Sequence, residues 1–464
     1  MTAEIYNLFF IQITLVVGIY VLFFREKKVP SIIKLLVITA YVTIPISIMV
    51  KGIASAIYLS DLIGFIIIFY FLMRLGLFRY LLINRYFLSL FILLILLPFS
   101  WGLVLELSGE YVLTLRDWID NVIWFYRNFV YLLVFGIGLS YKINIEEAKE
   151  FIEINLGFAA LLASFGILSY VGHFNMAVFE TIKWGGTIPV WFQKSHIGLG
   201  FMGLFRGSVG QWFVVVVLLS IGTFYFVSPK YRKVALITII AGIGVILLSL
   251  SRAGFVGLVV GLTVFGLLSM SNKRQIGLFV VLAFFSIGLF FGVVSTLKER
   301  FLPNWGHVEV TGLGTATSLR LFGWQRSIEF FSHNFIHFLT GVGPVEREAV
   351  HEIAGIYGPH NEYLDVVFRS GFLGLVVLLW FLLIILLKFF RTRSKVDNFV
   401  KPVVGSLIAI IIANSVMALT QSHLLNDYAT YTLGFYLYLL YGVFIGARWH
   451  GTAYRTKNKD KFEG

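Results

Sequence analysis

Apolar residues in this chain run in stretches of about twenty, broken by short polar segments. A helix that crosses a bilayer needs ~20 mostly apolar residues. Thirteen stretches fit: roughly 6–24, 32–50, 57–73, 86–105, 121–139, 152–171, 205–227, 234–250, 253–270, 276–296, 364–387, 402–420 and 428–447. The first lacks a basic leader and a small-residue cleavage site, so it reads as a span rather than a cleaved signal.

Basic residues follow every second span. Arg25, Lys27, Lys28 and Lys34 follow the first, and Arg74, Arg79 and Arg85 the third. The pattern continues with Lys142 and Lys149, with Lys230, Arg232 and Lys233, and with Lys273 and Arg274. It closes with Lys388, Arg391, Arg393, Lys395 and Lys401, then Arg448, Arg455, Lys457, Lys459 and Lys461. In all, 24 of the 37 Lys and Arg fall on one side. Short cytoplasmic loops are the ones enriched in Lys and Arg. The alternation therefore predicts an outer N-terminus and a cytoplasmic C-terminus.

The outer face then holds the longest polar segment, Lys298 to about Glu362, and shorter ones at 172–203 and 106–120. Long segments with polar and aromatic content usually carry function on a rigid scaffold. In the longest, Leu319, Phe322, Ile328, Phe331 and Phe335 recur at three- and four-residue steps, predicting an amphipathic helix over Ser318–Phe338. Thr340-Gly-Val-Gly-Pro344 ends it as a turn. After Gly358-Pro359, the residues His360, Asn361 and Glu362 open the next span. A helix start offers free N–H groups and a partial positive charge, which suit an anion.

Composition narrows the class. The chain of 464 residues is 58% hydrophobic and 13% charged. Soluble domains average ~45–50% apolar and ~25% charged. An ordinary cytosolic enzyme, a disordered chain and a fibrous repeat are excluded. The formal charge of +13 would point to nucleic acid on a soluble protein, but membrane topology accounts for it here and no nucleic-acid partner is expected. With Cys 0, disulfides, thiolate nucleophiles and Cys-bound zinc are absent. The expected fold is an all-α polytopic integral membrane protein of about 12–13 transmembrane helices with one long helical periplasmic loop. Three regions are expected: 1–233 as an N-terminal bundle, 234–390 as a core including the loop 297–362, and 391–464 as closing helices with a basic cytoplasmic tail.

The sequence has no GxxxxGK[ST] loop, no HExxH and no Asp-x-Asp pair, which disfavours a metal-bound nucleotide-sugar site. His333 and His337 have metal-ligand spacing on a helix, but no partner ligand lies in a recognised motif with them, and interfacial packing is preferred. Arg252 sits between two spans in Ser249-Leu-Ser-Arg-Ala-Gly254. A charge at membrane depth costs roughly 2.5–3.5 kcal/mol on insertion scales, so it needs a partner or a polar cavity. Its small neighbours favour close packing over snorkelling to lipid. Arg320 opens the amphipathic helix, though spacing alone does not prefer it to Arg326. Arg206 stands at the outer mouth of the seventh span, where interfacial anchoring is an equal explanation. Arg369 lies inside the eleventh span, a turn from Asp365. Arginine forks bind phosphate bidentately, and a histidine near its ordinary pKa takes a proton from a sugar hydroxyl. That set suits transfer from a membrane-embedded pyrophosphate donor. A transporter or flippase for lipid-linked sugars is the competing class; such proteins usually show internal repeats, and no two-fold repeat is evident. A receptor or scaffold is a third class without specific support.

Ser-Leu-Ser-Arg252-Ala-Gly, then Ser-Leu-Arg320-Leu-Phe-Gly-Trp with Thr-Gly-Val-Gly-Pro, then Pro-His360-Asn-Glu-Tyr-Leu and Arg-Ser-Gly-Phe-Leu-Gly-Leu375 follow in order. This succession, over about residues 240–390, resembles the O-antigen ligase and polymerase superfamily of bacterial membrane glycosyltransferases. The resemblance implies a GT-C-like fold in the inner membrane, a periplasmic active site, an undecaprenyl-pyrophosphate-linked oligosaccharide as donor, and no metal or other cofactor. It implies that Arg252 and Arg320 bind the pyrophosphate and stabilise its leaving charge, and that His360 activates the acceptor hydroxyl for an inverting attack. Asn361 and Glu362 match the His-Asn-Glu run as supporting residues, while Arg206 and Arg369 are further substrate-binding candidates. Partners implied are the lipid-linked donor, an acceptor glycan or glycolipid, membrane lipids and a chain-length regulator protein. A polymerase of surface polysaccharide is placed ahead of a ligase acting on lipid A core. The sequence departs from relatives at Phe368-Arg369-Ser370, where an acidic residue often precedes the glycine.

Overall fold

A computed structural model describes residues 29–41, 59–73, 81–100, 115–171, 206–249, 251–269, 316–342, 361–419 and 431–449. Among them the chain forms helices α1 (Ser31–Tyr41), α2 (Leu59–Leu72), α3 (Arg85–Phe91, continued by a π-helical stretch Ile92–Leu96), α4 (Leu115–Tyr141) and α5 (Ile145–Val171). They are followed by α6 (Arg206–Thr223), α7 (Pro229–Leu248), α8 (Arg252–Ser269), α9 (Ala316–His333), α10 (Phe335–Thr340), α11 (Glu362–Arg393), α12 (Lys401–Met417) and α13 (Tyr431–Gly446). Four helical stretches, Asn121–Tyr141, Ile145–Leu168, Pro229–Leu248 and Glu362–Arg393, are long and apolar enough to cross a bilayer, and shorter apolar helices accompany them. The protein is an all-α polytopic membrane protein. The expected spans 6–24 and 276–296 lie outside the described residues.

Glycines let these helices meet backbone to backbone. Among lipid-soluble helices, contact is driven by close packing rather than by the hydrophobic effect, so small residues mark the interfaces. A Cβ on Gly138 of α4 would stand 2.6 Å from the Val443 nitrogen of α13, and Gly434 of α13 faces the Tyr131 ring of α4. α6 is central: Gly242 of α7 receives Val217, Gly261 of α8 receives Leu218, and Gly222 of α6 receives Ser406 of α12. Tyr41, Trp212 and Tyr436 close an aromatic core with centroids 4.9–5.7 Å apart. The apolar side chains left outside, such as Ile240, Leu379, Trp380 and Leu383, are those a lipid-facing surface needs.

Contacts between helix ends agree with the alternation of basic residues. At the basic end, Glu150 accepts from the Val29 backbone at 2.9 Å and Glu153 from the Ser228 backbone at 3.0 Å. The Arg448 amide donates to the Ile143 carbonyl at 2.7 Å, and Arg393 donates to the Leu268 carbonyl. Every one of these pairs joins segments that the sequence pattern puts on the same side. Lys34 differs in kind from the other basic residues: it is buried and ion-paired with Glu150 at 3.0 Å. It is an internal charge of the bundle, not a loop charge in water.

The amphipathic helix expected over 318–338 is two helices. α9 ends at His333, Asn334 leaves helical geometry (φ −126°, ψ 71°), and α10 begins at Phe335. His333 and His337 therefore do not share a continuous helical face, which removes the spacing that made them metal candidates. The His337 ring stacks on Phe330 at 5.9 Å. After α10 the chain crosses directly over α11. Gly341 (φ +80°) and Gly371 (φ +66°) both hold left-handed conformations that favour glycine, and a Cβ on Gly341 would lie 2.6 Å from the Gly371 nitrogen. The Val342 amide donates to the Phe368 carbonyl at 2.6 Å, a bond made available by the kink at Gly371 within α11. Phe331, Val342, Val367 and Phe368 form a small core around this crossing.

Candidate functional site

At the end opposite the basic residues, three motif-bearing segments meet. The first contact joins α6 to the turn that opens α8. A Cβ on Gly210 would lie 2.8 Å from the Ser251 hydroxyl and 3.0 Å from that of Ser249, and one on Gly254 would lie 2.7 Å from the Gly210 carbonyl carbon. Ser251 Oγ accepts from the Gly254 amide at 3.1 Å, fixing the turn around residue 252. The second contact joins α8 and α11 to one point on α12. Gly257 receives Met417, whose neighbour Ala418 accepts the Glu362 amide at 2.8 Å. Tyr363 adds a hydroxyl bond of 2.7 Å to the Ser415 carbonyl. The third is the glycine crossing, which ties α9 and α10 to α11 nine to eleven residues beyond His360.

Residues 206 and 252 are the first residues of α6 and α8, and residue 320 lies in the second turn of α9. The structure describes only the backbone at these three arginines. His360 lies outside the described residues, one position before Asn361, the N-cap of α11. In helical register, position 320 shares its face with 327 and 331, seven and eleven residues on. Ser327 and Phe331 are buried, whereas Arg326, about 120° round the helix from position 320, is exposed. This separates two arginines that spacing left equivalent.

Asn361 and Glu362 turn out to hold the helix start in place. The Asn361 side chain caps α11, accepting from the Tyr363 and Leu364 amides at 3.0 and 3.3 Å. With the Glu362 amide bonded to Ala418, the N–H groups of residues 362–364 are all engaged. The expectation that this helix start offers free N–H groups to an anion is thus corrected: an N-cap side chain and a neighbouring helix have taken them. Glu362 itself is fully buried, within electrostatic range of Tyr438 and Tyr363. Arg369 is half-buried, with its guanidinium 5.1 Å from the centre of the Trp124 ring of α4, a cation–π contact.

The sequence reading passed over two features. Arg127 of α4 grips Asp61 of α2 with two bonds, Nε to Oδ1 at 3.0 Å and Nη2 to Oδ2 at 2.7 Å, both side chains being buried. This paired arginine serves the bundle. Its signal was an acidic residue inside one apolar run and a basic residue inside another. The second is Gln211, fully buried, with neither Nε2 nor Oε1 hydrogen-bonded among the described residues. Leu218 and Gly222, two and three turns further along α6, share its face and pack on Gly261 of α8 and Ser406 of α12. Gln211 therefore stands over the seam between α8 and α12, level with the turn that holds Arg252. Burying an amide is costly unless its hydrogen bonds are met.

Among the described residues no three His, Asp or Glu side chains gather closely enough to hold a metal ion. Residues 237–379 match the family model described as O-antigen ligase. A search of curated proteins finds no match. The matched segment runs from α7 through α8, α9 and α10 into α11. It contains Arg252, Arg320, His360, Asn361, Glu362 and Arg369 and leaves Arg206 upstream. The match supports placing the chain in the O-antigen ligase and polymerase superfamily.

Proposed function

We propose that this multi-pass membrane protein is a metal-independent, inverting glycosyltransferase working at the end of the bundle opposite its basic residues, on the periplasmic side of a bacterial inner membrane. Its donor is a glycan on undecaprenyl pyrophosphate, and its acceptor is a sugar hydroxyl. The observation that carries this reading is the convergence at that end: the Arg252 turn, the Arg320 helix and the start of α11 after His360 are tied through Gly257–Met417, Glu362–Ala418 and Gly341–Gly371.

The chemistry follows from the residue types. His360 takes the proton of the acceptor hydroxyl as its oxygen attacks the anomeric carbon. The bond from that carbon to the pyrophosphate oxygen breaks with inversion, and the electron pair leaves with the lipid pyrophosphate. Arg252 and Arg320 bind that pyrophosphate and stabilise the growing charge, which a fixed guanidinium does at no cost of reorganisation. Asn361 and Glu362 position His360 by fixing the first turn of α11. Arg206 and Arg369 contribute at the rim of the donor site.

Replacing His360, Arg252 or Arg320 by Ala should abolish transfer to a defined acceptor while the protein still accumulates in the membrane. Arg320→Lys should fail as well, because a point charge cannot make the bidentate grip, whereas Arg326→Ala should retain full activity. Normal product from His360→Ala would remove the proposed base. EDTA should leave the rate unchanged. The same donor chemistry serves polymerase and ligase, with the polymerase placed first. A deletion strain separates them: without a polymerase single repeats reach the surface, and without a ligase long glycan stays on the carrier lipid.

A further inference from the structure

The short helix α10 belongs to a segment whose sequence reads as a polar loop, yet its surface does not suit water. Ile336 and Phe335 are 71% and 65% exposed. They continue a strip of exposed apolar side chains on α11, Phe372, Leu373 and Val376, and Phe338 stacks on Phe372 at 5.3 Å to join the two. An apolar patch of this kind on an aqueous loop would be a liability. Depth explains it. Measured from Lys388 at the basic end, ~30 Å of hydrocarbon at ~1.5 Å per residue takes about twenty residues of α11. The boundary then falls near Phe368, and the 371–376 stretch that seats α10 lies inside it. The exposed face of α9 carries Arg326, Glu329 and Ser332, with Ile328 among them, and suits the polar side of that boundary.

We infer that α10 is a membrane-seated helix, with Phe335 and Ile336 covered by lipid acyl chains of the leaflet opposite the basic end. The glycine crossing at 341 and 371 holds it there, because the Val342–Phe368 bond locks the return of the chain onto α11. The acyl chains form the occupant because the strip is continuous with the lipid-facing side of a membrane-spanning helix. Position 320, on the helix before α10, is thereby held close to the phosphate level of the bilayer. The inference concerns topology and stands independently of the transfer reaction proposed above.

The chain has Cys 0, so single cysteines can be read without background. Nitroxide labels at Ile336→Cys, Phe335→Cys and Glu329→Cys would be compared in the full-length protein, reconstituted into phosphatidylethanolamine–phosphatidylglycerol vesicles. Collision with oxygen, which partitions into lipid, is measured against collision with a water-soluble nickel chelate. The oxygen-to-nickel ratio at 336 and 335 should exceed that at 329 by about fivefold or more, as expected for a helix face sunk among acyl chains. Equal ratios at all three positions would put α10 in water and overturn the inference. Low access to both quenchers at 335 and 336 would do the same, since a second copy or another segment would then cover the strip.

Discussion

At the basic end of the bundle, Glu150 meets Lys34 at 3.0 Å and the Val29 amide at 2.9 Å, and Glu153 takes both the amide and the hydroxyl of Ser228. Arg232 lies over Tyr225 and Arg393 donates to the Leu268 carbonyl, although the Nε of each has no bond among the described residues. At the opposite end the bookkeeping differs. Both amide atoms of Gln211, the Oδ1 atom of Asn414 and the indole nitrogen of Trp124 are buried with no hydrogen-bond partner among the described residues. At the basic end the two buried carboxylates bond other segments of the chain. The other keeps several buried polar atoms with no partner among the described residues, in an interior where an unmet bond costs about 1–3 kcal/mol.

Removing one member of the basic-end pair gives the largest expected effect. Glu150→Ala takes a carboxylate away from the buried Lys34 and an acceptor from the Val29 amide, a change that costs about 3–5 kcal/mol. Thermal unfolding in detergent should show the loss, and activity per folded molecule should stay near normal. A selective loss of activity at unchanged stability would erase the contrast between the ends. Gly371→Ala comes next. A side chain at φ +66°, pressed against the Leu339 carbonyl, adds strain of about 1–3 kcal/mol before any clash. Because the damage falls on the α10–α11 crossing, limited proteolysis should cut more readily around α9 and α10 while the rest of the bundle stays protected, and transfer should be lost. Gln211→Leu sharpens the comparison with the smallest stability change. Deleting an amide with no partner among the described residues should leave the unfolding temperature the same or higher. If the amide serves substrate, transfer should fall about tenfold, in line with one lost hydrogen bond of about 1.4 kcal/mol; an unchanged rate would make Gln211 a structural oddity.

Most of the architecture was legible from the order of residues. Apolar stretches gave helices at close to the expected bounds wherever residues are described, since an unpaired backbone cannot face lipid. The alternation of Lys and Arg sorted loop ends into two sets, and the contacts within each set agree with it. The motifs around Arg252, Arg320 and His360 were visible because a charge or a run of glycines is conspicuous against apolar sequence. The break at Asn334 was not legible, because an amphipathic pattern runs through it without a proline or glycine. The engaged N–H group of Glu362 escaped for a different reason: it depends on the Ala418 carbonyl, from a helix end that sequence distance hides.

What the sequence determined by itself is the fold class, the two-sided distribution of charge and the identity of the motif residues. These follow from transfer free energies that act residue by residue. Only the tertiary structure decided which polar residues the bundle takes up. It paired Arg127 with Asp61, turned Arg326 outward from the face that carries position 320, committed Asn361 to a cap and buried Gln211 over the seam of α8 and α12 with no bond among the described residues. Those outcomes rest on distances of about 3 Å between segments far apart in the chain, and hydrogen bonds and ion pairs fall away within an ångström or two of that separation.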